Sequence, residues 1–224
     1  MQTFVLEVTG DFACFSRPEM SVERVSYDVM TPSAARAIFE SILWKPAIFW
    51  QVERIEVLAP ICWTTLRRNE VGSKVPLNSV TSAMKKGQGA LGLYVEEDRQ
   101  QRASLLLRDV TYRLHAHFKL TDKAGHEDSV EKFTEMFRRR ASKGQCINQP
   151  YLGCREFACD FRLIAPSQAA TPCHSSLQGT RDLGWMLYDM DFAQPDNPTP
   201  RFFRARMVDG VVSIPDWHSE EVRG

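Results

Sequence analysis

Two histidines stand two positions apart in TYRLHAHFKL, residues 111–120, where polar and apolar side chains alternate. On an extended strand rising about 3.3 Å per residue, His115 and His117 share one face roughly 7 Å apart. Arg113 and Lys119 flank them on that face. Three readings fit these residues. H-x-H on a strand can supply two zinc ligands, but a site needs a third, and His126, His174 and the scattered cysteines form no ordered set. Imidazoles with an ordinary pKa near 6.5 can take or give a proton at neutral pH. Cleavage of RNA by its own ribose 2′-OH needs a base, an acid for the departing 5′-oxygen, and positive charge at the phosphorane. Such chemistry calls for no metal and no other cofactor. The third reading, which spacing alone favours, is the solvated side of an amphipathic strand.

Other familiar chemistry is missing. The chain carries no G-x-x-x-x-G-K-[ST] loop, no G-x-S-x-G, no H-E-x-x-H and no Rossmann glycine pattern. Its six cysteines (Cys14, Cys62, Cys146, Cys154, Cys159 and Cys173) include no C-x-x-C pair, so buried, reduced thiols are expected. No apolar run approaches the roughly 18 residues of a membrane span, and Met1 to Asp11 reads as strand rather than signal sequence. A cytoplasmic protein without a membrane partner is the expectation.

The formal net charge is zero, but it is unevenly spread. Residues 61–150 hold 16 Lys and Arg against 10 Asp and Glu, whereas both flanking regions are acidic. A local surplus of six is what a phosphate backbone would meet, and equally what a solvated basic loop would carry.

The elements that must position the histidines follow from periodicity and turn chemistry. Residues 2–9 are rich in β-branched and aromatic types and predict a strand. Thr31 as N-cap, Pro32 in the first turn and the stripe Ala35, Ile38, Phe39 and Ile42 predict a helix ending at Pro46. Residues 49–58 form a second expected strand between Pro46 and Pro60. From 61 to about 102 the pattern dissolves, which suggests an inserted hairpin or loop carrying Arg67, Arg68, Lys74, Lys85 and Lys86. Residues 109–120 are the clearest strand. A helix follows, with Asp128 as cap, Glu131 three residues on, Val130, Phe133 and Phe137 on one side, and Gly144 as the stop. A fourth strand is expected over 151–164.

That order is the ferredoxin-like βαββαβ arrangement of an α+β protein. Two helices cover one sheet face and leave the other open, with Arg113, His115, His117 and Lys119 on the open side. Among Trp44, Phe49 and Trp50, core packing is expected to claim at least two. The small, polar stretch 165–180 suggests a boundary. The domains would then be residues 1–164, with the insertion at about 61–102, and a small antiparallel β-sheet domain at 165–224. In the latter, Asp209-Gly210 between apolar runs marks a hairpin.

FESILWKPA (39–47), DVTYRLHAHF (109–118) and NQPYLGCREF (148–157), with the opening VTGDFACFSRPE, occur in that order. Together they resemble the RAMP-superfamily CRISPR-associated protein of type I-C (Dvulg subtype) systems, over most of residues 4–164. The resemblance implies the same fold and a metal-independent endoribonuclease that binds the repeat hairpin of precursor CRISPR RNA and cuts near its stem base. The product's 5′ handle would stay bound within the interference complex, whose other subunits are the implied protein partners, with DNA left open as a further one. Described members use a tyrosine directly before W-K-P, and a lysine and a histidine from the central strand. Here those positions carry Leu43, His115 and His117. His117 and His115 are the implied catalytic pair, and Lys45, Arg113 or Lys119 the phosphate contacts. Arg67, Arg68, Lys74, Lys85, Lys86 and Arg155 are the candidate RNA-binding residues. A non-catalytic subunit that holds the RNA handle is the alternative.

Overall fold

The structure is a computed structural model and describes residues 2–20, 22–89, 91–165 and 173–224. Its strands are β1 (Phe4–Ala13), β2 (Arg24–Val25), β3 (Ile48–Val57), β4 (Cys62–Val71), β5 (Arg99–Leu120), β6 (Asp160–Ile164), β7 (Thr180–Asp191), β8 (Thr199–Val208), β9 (Val211–Ser213) and β10 (Val222–Arg223). The helices are α1 (Pro32–Ile42), α2 (Leu77–Lys86) and α3 (Val130–Ser142). All described strands join one sheet with the path β10-β8-β9-β3-β5-β1-β6. Within it, β3-β5-β1-β6 are successively antiparallel. Since α1 links β1 to β3 and α3 links β5 to β6, this is the expected ferredoxin-like α+β core.

Both core helices start where side-chain chemistry allows. Thr31 Oγ1 accepts the Ala34 N–H at 3.3 Å, with Pro32 in the first turn and the predicted stripe buried. For α3 the cap is Ser129, whose Oγ accepts Lys132 N–H at 3.2 Å. Asp128, the expected cap, instead accepts Gly125 N–H and pairs with Lys132 at 3.1 Å. The helices cover one face through an aromatic cluster: Trp50 packs against Phe4, Phe39, Phe118 and Phe137 with ring centroids 4.8–5.7 Å apart. Trp50 satisfies its buried indole N–H on Leu43 O at 2.8 Å. Of the three aromatic residues near W-K-P, the core takes Trp50 alone; Trp44 and Phe49 are about half exposed.

The region expected as an insertion is an ordered arm. β5 is a 22-residue strand whose first half pairs with β4, and α2 sits between the two strands. No period marks it in sequence because α2 buries none of its residues and β4 is open along most of its length. Asp109, at φ +54, separates this half of β5 from the half inside the ferredoxin core.

The expected strand at 151–164 is shorter: only Asp160–Ile164 pairs with β1. Residues 151–158 form a turn closed by a bridge between Tyr151 and Ala158 and tied to β1 by Cys14 N–H to Leu152 O at 3.0 Å. Gly153 explains the difference. It sits at φ +83, and a Cβ there would lie 2.0 Å from Cys14 O. The six cysteines are free thiols, of which Cys14 and Cys159 are buried and the other four partly so.

Beyond β6 the chain extends the same sheet. β9 pairs with the outer edge of β3, and β8, β7 and β10 follow. The Asp209-Gly210 turn has φ +48 and +78, the pair of positive angles a two-residue hairpin needs. Gly210 O also accepts Val57 N–H at 2.8 Å. Of the stretch expected to hold a boundary, residues 166–172 lie outside the described residues. Among the described residues, no helix is long and apolar enough to cross a membrane.

Gly153→Ala is expected to cost on the order of 3 kcal/mol, combining left-handed strain with a backbone collision. Gly87→Ala, at φ +63 with open space around it, carries the strain alone, about 1 kcal/mol. Urea unfolding of the two variants measures the difference.

Candidate active site on the central strand

The second half of β5 places Tyr112, Leu114, Ala116 and Phe118 under the helices and Arg113, His115 and His117 on the opposite face. That face was expected to be wet, yet the three residues are only 3%, 3% and 9% exposed. Carboxylates from the neighbouring strands account for this. Arg113 stands directly opposite Glu7 on β1 and Glu56 on β3, and its guanidinium reaches their carboxylates at 3.0 and 3.3 Å. Arg162 on β6 closes on Glu7 at 2.6 Å. Burial by itself would raise the Glu7 carboxyl, but the hydrogen bonds from Arg162 and Arg113 outweigh it and hold it below the usual carboxylate range. Arg113 is therefore committed to two carboxylates and is a structural cation rather than a phosphate contact.

His115 belongs to the same lattice, with Nε2 at 2.8 Å from Glu56 Oε1. Burial, followed by the Arg54 cation, pushes its pKa below the ordinary value; Glu56 pulls the other way and Arg113 adds to the lowering. The ring is neutral at neutral pH.

His117 is held differently. The β3–β5 register skips between Val52 and Arg54, so Glu53 is the extra residue of a β-bulge. Its carboxylate meets His117 Nδ1 at 2.6 Å and accepts from Thr3 Oγ1 at 3.1 and 3.2 Å. Its carbonyl accepts Ile214 N–H at 2.9 Å, which ties the bulge to the segment after β9. With Nδ1 on Glu53, Nε2 is buried and has no hydrogen-bond partner among the described residues. A buried imidazole with one nitrogen anchored on a carboxylate and the other unused is oriented as a proton acceptor.

Of the other predicted residues, Lys119 is exposed on the same face, two positions beyond His117. Lys45 is exposed in the α1–β3 connection, beside Pro46, whose carbonyl accepts Thr121 Oγ1. Leu43 is fully buried in the helix-side core. Arg67 and Arg68 lie on the arm, where Arg67 pairs with Ala103, about fourteen residues along β5 from His117. Arg68 is bound to Glu156, and Arg24 joins the same carboxylate at 3.0 Å. Lys74, Lys85 and Lys86 are exposed around α2, and Arg155 on the 151–158 turn. The fold thus gathers His115, His117, Arg113 and Lys119, and holds the arm's cations well apart from them. Among the described residues, no three His, Cys, Asp or Glu side chains converge as metal ligands.

Sequence reading missed Glu7, Glu53 and Glu56. The alternation in FVLEV and FWQVERIEV puts these glutamates at polar positions, and the antiparallel strand order brings them opposite β5. Only the bulge at Glu53 left no sequence mark.

Because His115 titrates lower in the folded chain than unfolded, its contribution to stability is complete above about pH 6.5 and is lost as pH falls through its folded pKa. Glu7, also depressed, loses its contribution further down, from about pH 4.5. Urea midpoints should fall in two stages on acidification, and His115→Gln should flatten the upper stage only. Arg113→Met, which leaves two facing carboxylates, is expected to lose about 3–5 kcal/mol at pH 7.

Comparison with known proteins identifies the family and the fold. A family model described as CRISPR-associated protein (Cas_Cas5) matches residues 3–215. A curated protein from Mannheimia succiniciproducens, named CRISPR pre-crRNA endoribonuclease Cas5d, is 50% identical over 220 residues, covering 97% of each chain. A protein of the same name from Thermus thermophilus is 39% identical over 232 residues, covering 96% of this chain and 92% of its own. A crystal structure of a CRISPR-associated protein superposes with a TM-score of 0.71 at 21% identity, covering 100% of this chain and 97% of that one. A functionally uncharacterized protein from Streptococcus mutans gives 0.70, with the same identity and coverage. At that identity the two structures speak for the fold alone, while the family model and the two close relatives fix the lineage. This chain belongs to the CRISPR-associated Cas5d family.

Proposed function

We propose that the protein is an endoribonuclease that binds the repeat hairpin of precursor CRISPR RNA and cleaves it by attack of a ribose 2′-OH. The observation that carries this reading is His117, with Nδ1 fixed on Glu53 at 2.6 Å and Nε2 unpartnered. Nε2 takes the 2′-OH proton, and the freed oxygen attacks the adjacent phosphorus. Glu53 stabilises the imidazolium that forms. Lys119, roughly 7 Å along the same face, meets the phosphorane charge, and its ammonium gives the departing 5′-oxygen a proton. The products are a 2′,3′-cyclic phosphate and a 5′-hydroxyl. His115, neutral and set against Glu56, positions the strand beside the reacting groups. The exposed cations of the arm and Arg155 hold the RNA backbone. The product remains bound by its 5′ handle, in company with the other subunits of the interference complex.

One observation favours a second reading, a handle-holding subunit without cleavage. The side chain before Trp44-Lys45-Pro46 is the apolar, wholly buried Leu43, which brings no hydroxyl to the open face.

Incubation of the chain with its repeat RNA in chelator separates the two. A single cut is expected, lost by at least about 100-fold in His117→Ala and abolished by 2′-deoxy substitution at the cleaved ribose. Glu53→Gln should lower the rate while leaving affinity unchanged. Tight binding without any cut establishes the second reading, and equal cleavage by wild type and His117→Ala removes His117 from the site. Replacing Lys85 and Lys86 together by Ala should weaken RNA binding and reduce the slope of log K against log salt by roughly 2, with the position of the cut unchanged.

A further inference from the structure

A cavity of about 540 Å³ opens at the outer edge of β3, beside the face that carries His117. The β9 ladder covers β3 only from Arg54 to Glu56, and the hydrogen bond from Ile214 N–H to Glu53 O extends that cover by one residue. The β3 edge before the bulge is left to the cavity, whose far wall is the end of β7 and the turn at 216–218. Two of its lining residues also belong to the site's surroundings. Gln51 faces His117 across the ladder, and Lys119 lies on the His117 face.

The lining has the chemistry of a base rather than of a phosphate. Phe49 and Phe192 are 49% and 61% exposed, large values for aromatic rings lining a cavity. Trp217 is fixed edge-on against Tyr188 at 5.5 Å. Two carboxylates are pinned in place among these rings. Asp189 receives Arg36 Nε at 2.8 Å and Nη2 at 2.7 Å. Asp216 receives His218 N–H at 3.0 Å and Gln51 Nε2 at 2.8 Å. The His218 and Gln51 hydrogen bonds hold the Asp216 carboxyl below the usual range, so it stays ionised. Fixed carboxylates repel a phosphodiester and accept from the amino group of a purine or cytosine. The volume lies within the ordinary range for small-ligand sites, enough for one base and its sugar.

We propose that this cavity receives one unpaired nucleobase of the RNA, next to the scissile phosphate, stacked on Phe49 and selected for an exocyclic amino group by Asp216. The inference rests on the reading of His117 as the cutting residue, which it supplies with a reference point for choosing the phosphate. A base seated between β3 and the 216–218 turn draws its neighbouring phosphodiester onto the face shared by Lys119 and His117. Single-stranded bases held on aromatic side chains are a general means of RNA recognition.

The test uses the full chain and repeat RNAs made uncleavable by 2′-deoxy at the cut, each with one abasic nucleotide near it. Binding is measured for wild type and Phe49→Ala, a substitution of a half-exposed ring whose fold is checked by circular dichroism. One abasic position should weaken wild type roughly ten-fold and Phe49→Ala hardly further. At that position an amino-free base should bind wild type more weakly, and Asp216→Asn should erase the difference. A Phe49→Ala defect equal on every RNA, or no sensitive abasic position, overturns the base site. A preference unchanged by Asp216→Asn overturns its selection of an amino group. Because binding to uncleavable RNA is read, these outcomes stand whether or not the wild type cuts intact RNA. Failure to cut overturns the role given to His117 and leaves the cavity's assignment to be judged on binding alone.

Discussion

The interaction on which the rest depends is the clamp of Glu7 and Glu56 on the buried Arg113 guanidinium. It joins three adjacent strands of the ferredoxin core, β3, β5 and β1, side by side at one level, and Arg162 extends it to the fourth. A one-residue slip of β5 would carry Arg113 into the aromatic core and Leu114 out among carboxylates, so the clamp fixes register as well as holding strands together. Two residues further along, burial and then the Arg54 cation hold the His115 pKa below its ordinary value against the pull of Glu56. Two more residues bring His117, where the charge lattice ends and a single glutamate takes over. A strand that alternates in sequence thus presents on one face a guanidinium between two carboxylates, then an imidazole beside one of them, then an imidazole on a carboxylate of its own.

Much of this arrangement was legible in the sequence. Thr31, Pro32 and the stripe from Ala35 to Ile42 specify α1 because capping and periodicity act locally, and Asp209-Gly210 specifies its hairpin for the same reason. The alternation at 109–120 gave the two faces of β5 correctly. It could not give their environments. Polar residues on a sheet face are wet only if the neighbouring strands leave them so, and here Arg113, His115 and His117 each meet a carboxylate through pairings set by tertiary order. Arg113 consequently changed from a phosphate contact to a structural ion. The arm at 62–108 escaped because β4 and α2, which bury none of their residues, show no hydrophobic period. The turn at Gly153 escaped because its geometry is imposed by Cys14, far away in sequence.

On the function proposed above, the two halves of β5 would divide the labour of handling RNA. The half inside the core carries the buried, anchored groups suited to proton transfer, where misplacement by even an ångström is costly. The arm that the other half builds with β4 and α2 carries exposed cations, a group suited to a polyanion because it needs no fixed geometry. Asp109, with its left-handed backbone, marks the change between them. One continuous strand therefore links the buried histidines to the projecting arm.

The short strand β9 has a consequence beyond completing a hairpin. Without it, β3 would present a row of bare backbone donors and acceptors along a ten-residue strand rich in aromatic and β-branched side chains, a template for pairing with another chain. Three residues from β9 occupy the C-terminal part of that row, at Arg54 to Glu56, and on the opposite side of the core the sheet ends in β6, five residues long with Arg162 at its centre. The C-terminal strands therefore guard that part of the edge against pairing with another chain.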